Sequence, residues 1–159
     1  MGILTDDMKR VVNEQRLGYI ATVNEDGTPN LSPRGTLAVW DDDTLIFADI
    51  RSPRTTRNLR QNPMVAINVV DPMLRKGYRF AGQAAVHDDD DLFARGVAFY
   101  HKRGTANPVR AVVLVAVTQA RPLISPAYDL GASEAEIRAR WERHMAALAQ
   151  GNTNSETGE

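Results

Sequence analysis

The feature that most limits the fold is a succession of three extended runs near the N-terminus, separated only by polar turns. Residues 19–23 are rich in strand formers, and Glu25-Asp26-Gly27-Thr28-Pro29 supplies the turn chemistry that leads into a second extended run over residues 30–40. Asp41-Asp42-Asp43 makes another polar turn, and Leu45-Ile46-Phe47-Ala48 reads as a short third strand. A doubly wound sheet needs a helix between successive strands, so this order predicts an antiparallel meander instead.

The remaining pattern adds to that meander. Thr5 is placed to cap a short helix with Met8, Val11 and Val12 at helical spacing, Asp6 and Asp7 in its first turn and Gly18 at its exit. Ser52-Pro53 is a second helix start, and that helix should stop before Pro63. Residues 64–70 and 78–87 read as strands, and Asp88 to Asp91 open a helix carrying Leu92, Phe93, Val97 and Tyr100. After Pro108, residues 110–120 form the strongest strand signal, and the apolar run at 111–117 implies burial on both faces. Ser133-Glu134-Ala135-Glu136 matches a capping box, and Ile137, Trp141, Met145 and Leu148 share one face of the helix it opens. Such a helix needs something to cover.

The expected class is mainly β with α additions: six strands in a small antiparallel barrel with peripheral helices, one domain over residues 1–150. Residues 151–159 hold no large apolar side chain and are expected to be a disordered tail.

Composition excludes several functions. The absence of cysteine removes disulfides, thiolate nucleophiles and cysteine-ligated metal sites. Nineteen basic against twenty acidic residues give a net charge of -1, which offers no broad field for nucleic acid or anionic membrane. The N-terminal residues lack the apolar core of a signal peptide, and no apolar run approaches the roughly 18 residues of a spanning helix. A soluble, cytoplasmic protein is therefore the expectation. His87, His101 and His144 show no metal-ligand spacing, helix capping accounts for the acidic run 88–91, and no Gly-x-Ser-x-Gly elbow is present. The expectation is no metal and no hydrolytic apparatus. Trp40, Trp141 and Tyr128 are read as core residues, although a flat ring could stack on any of them.

Two segments carry the binding chemistry. Arg51, Arg54, Arg57 and Arg60 accompany Ser52, Thr55 and Thr56 around the expected helix start. Unpaired N–H groups, the positive helix end, hydroxyls and guanidinium forks together suit a phosphate monoester. A solvated arginine-rich face is the other reading, because arginines every three residues rotate around a helix and cannot all meet one ligand. Arg54, Arg57 and the hydroxyls are the best-placed contacts. The second segment is Ser32-Pro33-Arg34-Gly35-Thr36, where a proline and a glycine interrupt a strand. Either a ligand approaches the backbone there or the interruption is an edge-strand bulge.

The order of pieces matters here: residues 17–23, Gly27-Thr28-Pro29, Ser32-Pro33-Arg34-Gly35, Phe47-Ala48-Asp49, a string from Thr56 to Pro63 containing Asn58-Leu59 and Asn62-Pro63, and Gly82-Gln83-Ala84. This order resembles the pyridoxamine 5'-phosphate oxidase-like family of FMN-binding split barrels over residues 4–123. The resemblance implies a six-stranded split barrel and a homodimer with one flavin per protomer in a cleft at the interface. It places Ser32, Arg34 and Thr36 along the flavin, with Pro33 and Gly35 between them, and Ala48 and Asp49 beside it. It gives the phosphate to the helix start, Ser52, Arg54, Thr55, Thr56 and Arg57. The family's usual lysine is Thr55 here, so Arg54 or Arg57 stands in for it. The extended substrate-recognition segments of true pyridoxamine phosphate oxidases are not evident, so oxidation of that vitamer is not expected. The resemblance favours an FMN-dependent oxidoreductase acting on a small molecule, and assigns no catalytic side chain. A non-catalytic flavin store or sensor, a reductase using the deazaflavin F420, and a haem protein are the other members of the same fold.

Overall fold

The computed structural model describes residues 2–51 and 53–151. Helix α1, Asp6–Gln15, is capped by Thr5, whose side chain accepts from the Met8 amide. Its exit is made by Arg16 in the left-handed region at φ 51°, two residues before Gly18, which instead opens strand β1, Gly18–Val23. The second extended run is two strands, not one: β2, Pro29–Arg34, and β3, Ala38–Val39. Strand β4, Thr44–Asp49, pairs with β3 and not with β2, so the first runs form two separate hairpins in place of the expected continuous meander, and helix α2, Pro53–Gln61, follows. Strands β5, Met64–Asp71, and β6, Lys76–His87, come next, then helix α3, Asp91–Lys102, with Asp90 as its N-cap. Strand β7, Ala111–Ile124, leads through a short 3-10 turn, Pro126–Tyr128, to helix α4, Glu134–Ala149, which carries the expected capping box at Ser133 and Glu136.

All seven strands lie in one antiparallel sheet in the order β2-β1-β5-β6-β7-β4-β3. Strands β2 and β3 sit at opposite edges of that order, yet only residues 35–37 separate them. A link that short spans at most about 14 Å. The sheet must therefore curl until its edges meet, which makes it a split barrel closed by the strand break. The seventh strand arises from the same break.

The interior is filled from the inward positions: Ile20, Leu45, Phe47, Ile67, Val69, Phe80, Val113 and Val115 are fully buried, and Val12 of α1 and Leu59 of α2 close the filling. A second cluster, Ile46, Ala48, Val112 and Tyr100, lies beneath α3 on the outer side of β4 and β7. Both-face burial holds only for the first part of the 111–117 run, where alternate residues point into the barrel and under the helix; further along, Leu114 is half-buried and Ala116 exposed on the outward face. Gly96 brings α3 that close: a Cβ there would lie 2.7 Å from Val112 Cγ1. In α4 the buried residue is Ile137, while Trp141 stacks under the Arg75 guanidinium at 3.3 Å. Met145 and Leu148, further along the same face, are about half exposed, at 47% and 48%.

Candidate functional site

Helix α2 starts where β4 ends, so the helix start and the strand end share one region. Ser52 lies outside the described residues. Thr55 and Thr56 are buried, whereas Arg54 and Arg57 are exposed on the opposite side of the helix. The rotation that kept all four arginines from one ligand is resolved by dividing them. Arg54 and Arg57, one turn apart, line the same open cavity of about 360 Å³ together with Asn24, Glu25, Asp26, Asn58 and Gln61. Arg60 instead pairs with Asp88 at the surface. Thr55, at the position of the family's lysine, is only 1% exposed and its hydroxyl does not line that cavity.

Asn58 fixes this helix to the sheet. Its Nδ2 donates to Thr22 Oγ1 at 3.0 Å and to Asn24 Oδ1 at 2.9 Å, and Asn30 Nδ2 donates to the same Thr22 oxygen at 3.1 Å. Each of these groups is buried or half-buried, where an unmade hydrogen bond costs about 1–3 kcal/mol, so the network holds α2 at a set height above β1 and β2. Residue-by-residue reading of the sequence did not single out Thr22 or Asn24. Their partners are 36 and 34 residues away, and short polar side chains in a strand and a turn carry no local signal of that kind.

The strand-break residues divide by side. Ser32 is half-buried, and Pro33 and Gly35 are exposed. Thr36 Oγ1 accepts from the Ala48 amide at 3.0 Å and donates to the Ala48 carbonyl at 3.3 Å, so its hydroxyl substitutes for the missing ladder between the break and β4. The Tyr100 hydroxyl donates to the Thr36 carbonyl at 2.8 Å, and burial pushes the pKa of that phenol up. A smaller cavity of about 190 Å³ opens beside the break, between Thr36, Tyr100, Arg16 and Arg103.

Arg34 points inward. It is 7% exposed, its guanidinium lies 5.7 Å from the centre of the Phe47 ring, and Nη1 is 4.0 Å from Asp49 Oδ1. Burial pushes its pKa down, and the Asp49 carboxylate works against that shift. Asp49 in turn accepts from Thr56 Oγ1 at 3.4 Å, so strand β2, strand β4 and helix α2 meet through three polar side chains. Arg34 Nε and Nη2 are buried without an acceptor among the described residues.

Of the candidate residues, the fold thus joins Arg34, Asp49 and Thr56 in one buried group, Arg54 and Arg57 in one cavity, and Thr36 with Ala48 at the break. A flavin mononucleotide needs cations and amide donors for its phosphate and donors for the polar edge of its ring. Arg54 and Arg57 on one cavity fit the phosphate, whereas the Asn58 amide is already engaged with Thr22 and Asn24. Glu25 and Asp26 line the same cavity and set a counter-charge across from the arginines. Trp40 packs on Phe99, and Tyr128 donates to the Leu74 carbonyl, so these rings serve packing in the described residues.

Comparison with known proteins agrees with this fold. The family profile described as pyridoxamine 5'-phosphate oxidase matches residues 4–123. The solved structure of HupZ from Group A Streptococcus is 30% identical, with 77% of this chain and 96% of that one covered and a TM-score of 0.69. An FMN-binding protein from Syntrophomonas wolfei is 16% identical over 75% of this chain and 85% of that one, with a TM-score of 0.64. An F420 reductase is 23% identical over 74% and 98%, with a TM-score of 0.59. The last two are likenesses of fold. Comparison with curated proteins gives no match.

Proposed function

Because the chain belongs to the pyridoxamine 5'-phosphate oxidase family, we propose that it is an FMN-binding oxidoreductase that acts on a small molecule as a homodimer. The observation that carries the reading is the cavity at the start of α2, where Arg54 and Arg57 lie side by side with Asn58 held behind them. Bound FMN would supply the electron transfer itself. The chain's own part is to hold and orient it. Arg54 and Arg57 take the phosphate, while Thr55 and Thr56, buried on the other side of the helix, are not among the cavity's lining residues. Ser32, Arg34 and Thr36 of the second run, with Pro33 and Gly35, and Ala48 and Asp49 of β4 line the ring. No catalytic acid or base is assigned to the chain, since the cofactor can carry the reaction without one.

A homodimer is supported by the outer face of β2, β1 and β5. Leu31, Tyr19 and Met64 are 66%, 46% and 51% exposed there, and an apolar sheet face of this kind calls for a cover. No helix among the described residues is long and apolar enough to cross a membrane. F420 is the alternative cofactor, and the buried Thr55 favours weighing it, because a dianionic phosphate monoester loses a cation there that a singly charged phosphate diester needs less.

An absorption spectrum of the purified protein, before and after incubation with FMN and with F420, separates these readings. The expected result is a retained oxidised flavin at one per chain, bleached by NADH or NADPH when substrate is absent. Retention of F420 but not FMN reverses the cofactor choice. Retention of FMN with no bleaching and no turnover by either nucleotide turns the reading to a flavin store or sensor. Failure to hold either cofactor sinks it.

A further inference from the structure

We infer that Arg79 on β6 and Arg121 on β7 form a second anion site, on the outer face of the sheet and apart from the α2 cavity, for a phosphate or pyrophosphate group. The inference goes beyond the flavin reading and does not depend on it. The two arginines stand directly opposite each other in the β6–β7 register, and both are exposed. Side chains so paired have Cβ atoms about 4.5–5.5 Å apart, and like charges there are destabilising. Nothing in the chain offsets that repulsion. No carboxylate lies within ion-pair distance of either guanidinium among the described residues. The flanking rows on the same face are Val70, Gly77 and Leu123 on one side and Ala66, Ala81 and Gln119 on the other, and none of these carries a charge. Strand β4 does not extend to this level, since its pairing with β7 ends at Thr44 and Ala116. A chain with a net charge of -1 thus sets two cations side by side, open to solvent and without a counter-charge of their own.

The donors identify the kind of anion. Arg79 Nε donates to Asn68 Oδ1 at 3.0 Å, from the next strand of the same row, which orients the Arg79 fork and leaves its Nη groups uncommitted. Arg121 has no side-chain partner among the described residues. A carboxylate has two oxygens and is filled by a single guanidinium fork, whereas a phosphate carries further terminal oxygens and up to two charges, so it can engage both forks at once. A single exposed ion pair is worth little, and two forks closing on one anion are what give such a site affinity. The cavity at the start of α2 is separate, since neither arginine lines it. The row ends at Tyr19 on β1, so the site lies beside the face given above to the second copy, and a carboxylate of that copy is the rival partner.

Calorimetric titration with pyrophosphate tests this on two forms of the protein: the FMN-loaded wild type, whose α2 cavity is filled, and the Arg54→Ala/Arg57→Ala variant, whose α2 cations are gone. The second form keeps the test valid whether or not the protein binds FMN. One pyrophosphate per chain is expected in both. Arg79→Gln and Arg121→Gln should each weaken it at least about tenfold and leave FMN affinity unchanged. Arg121→Lys, which keeps the charge without the fork, should lose most of the affinity as well. In low-salt buffer without phosphate, Arg121→Gln should melt above wild type because the opposed charges are relieved, and pyrophosphate should reverse that order by stabilising the wild type. Adenosine 5'-diphosphate and phosphatidic acid vesicles distinguish a soluble phosphate ligand from a lipid headgroup, and either bound in a way that both glutamine variants lose supports the site. Pyrophosphate binding that is absent from both forms, or equal in the glutamine variants and their parent, overturns it. Sedimentation of Arg121→Gln at half the wild-type mass also overturns it, by assigning the pair to a carboxylate of the second copy.

Discussion

At the scale of single residues, Arg54 and Arg57 are interchangeable in the sequence but can be told apart by ligand. Both line the cavity at the start of α2, and neither forms an ion pair among the described residues. A hydrogen bond to a charged group is worth roughly 1.5–3 kcal/mol, so Arg57→Ala should weaken FMN binding on the order of tenfold to a hundredfold and leave riboflavin, which lacks the phosphate, nearly unchanged. Arg54→Ala should match it if that side chain replaces the lysine absent at Thr55. Equal weakening of FMN and riboflavin would point to a disturbed fold instead. Asn58 has a different role, since its amide ties α2 to β1 through Thr22 and Asn24. Asn58→Ala leaves those oxygens without their donor and should cost about 1–3 kcal/mol in urea unfolding, with affinity for FMN falling alongside. A variant that unfolds like wild type would show that the network does not position the helix.

At the scale of elements, a close contact is that of α3 on β7. A methyl at Gly96 would lie 2.7 and 2.8 Å from the two Val112 methyls and 3.1 Å from Val112 Cβ, and a β-branched side chain in a packed wall has little freedom to yield. Gly96→Ala gains helix propensity of about 1 kcal/mol and loses about 1–3 kcal/mol to overpacking, so the net change should be destabilising. A shift of the urea midpoint to higher concentration would contradict that. The displacement should also reach the site, because Tyr100 on the same helix holds the Thr36 carbonyl at the strand break.

At the scale of the whole molecule, association should use a face of the sheet and not its edge. Pro29 and Pro33 pair opposite Val23 and Tyr19 without N–H groups to give, so they occupy the positions of β2 whose main chain faces outward, and Leu31 alone between them keeps a free amide. A proline-blunted edge resists strand addition. The exposed Leu31, Tyr19 and Met64 side chains are those that the proposed second copy would cover. Leu31→Asp, at a position 66% exposed, should leave the protomer folded and convert the sedimenting species from twice the chain mass to once. A dimer that survives this change uses another surface.

Local chemistry determined much of this protein without help from its tertiary structure. Thr5, Asp90 and Ser133 cap helices through hydrogen bonds that reach three residues, and the apolar run 111–117 marks a core strand by composition alone. The absence of helices between the first three extended runs excluded a doubly wound sheet, and the motif string from Ser32 to Pro63 pointed to the family. Closure lay beyond that reach. The second run breaks at residues 35–37 because the curled sheet brings its two edges together there, and curl depends on which strands pair. The same closure buries Arg34, engages Thr36 with Ala48 twelve residues away, and brings Tyr100 to Thr36 across 64 residues. Propensity and capping act over one turn of chain, whereas burial of a charge and the meeting of two sheet edges are set only when distant strands close the barrel.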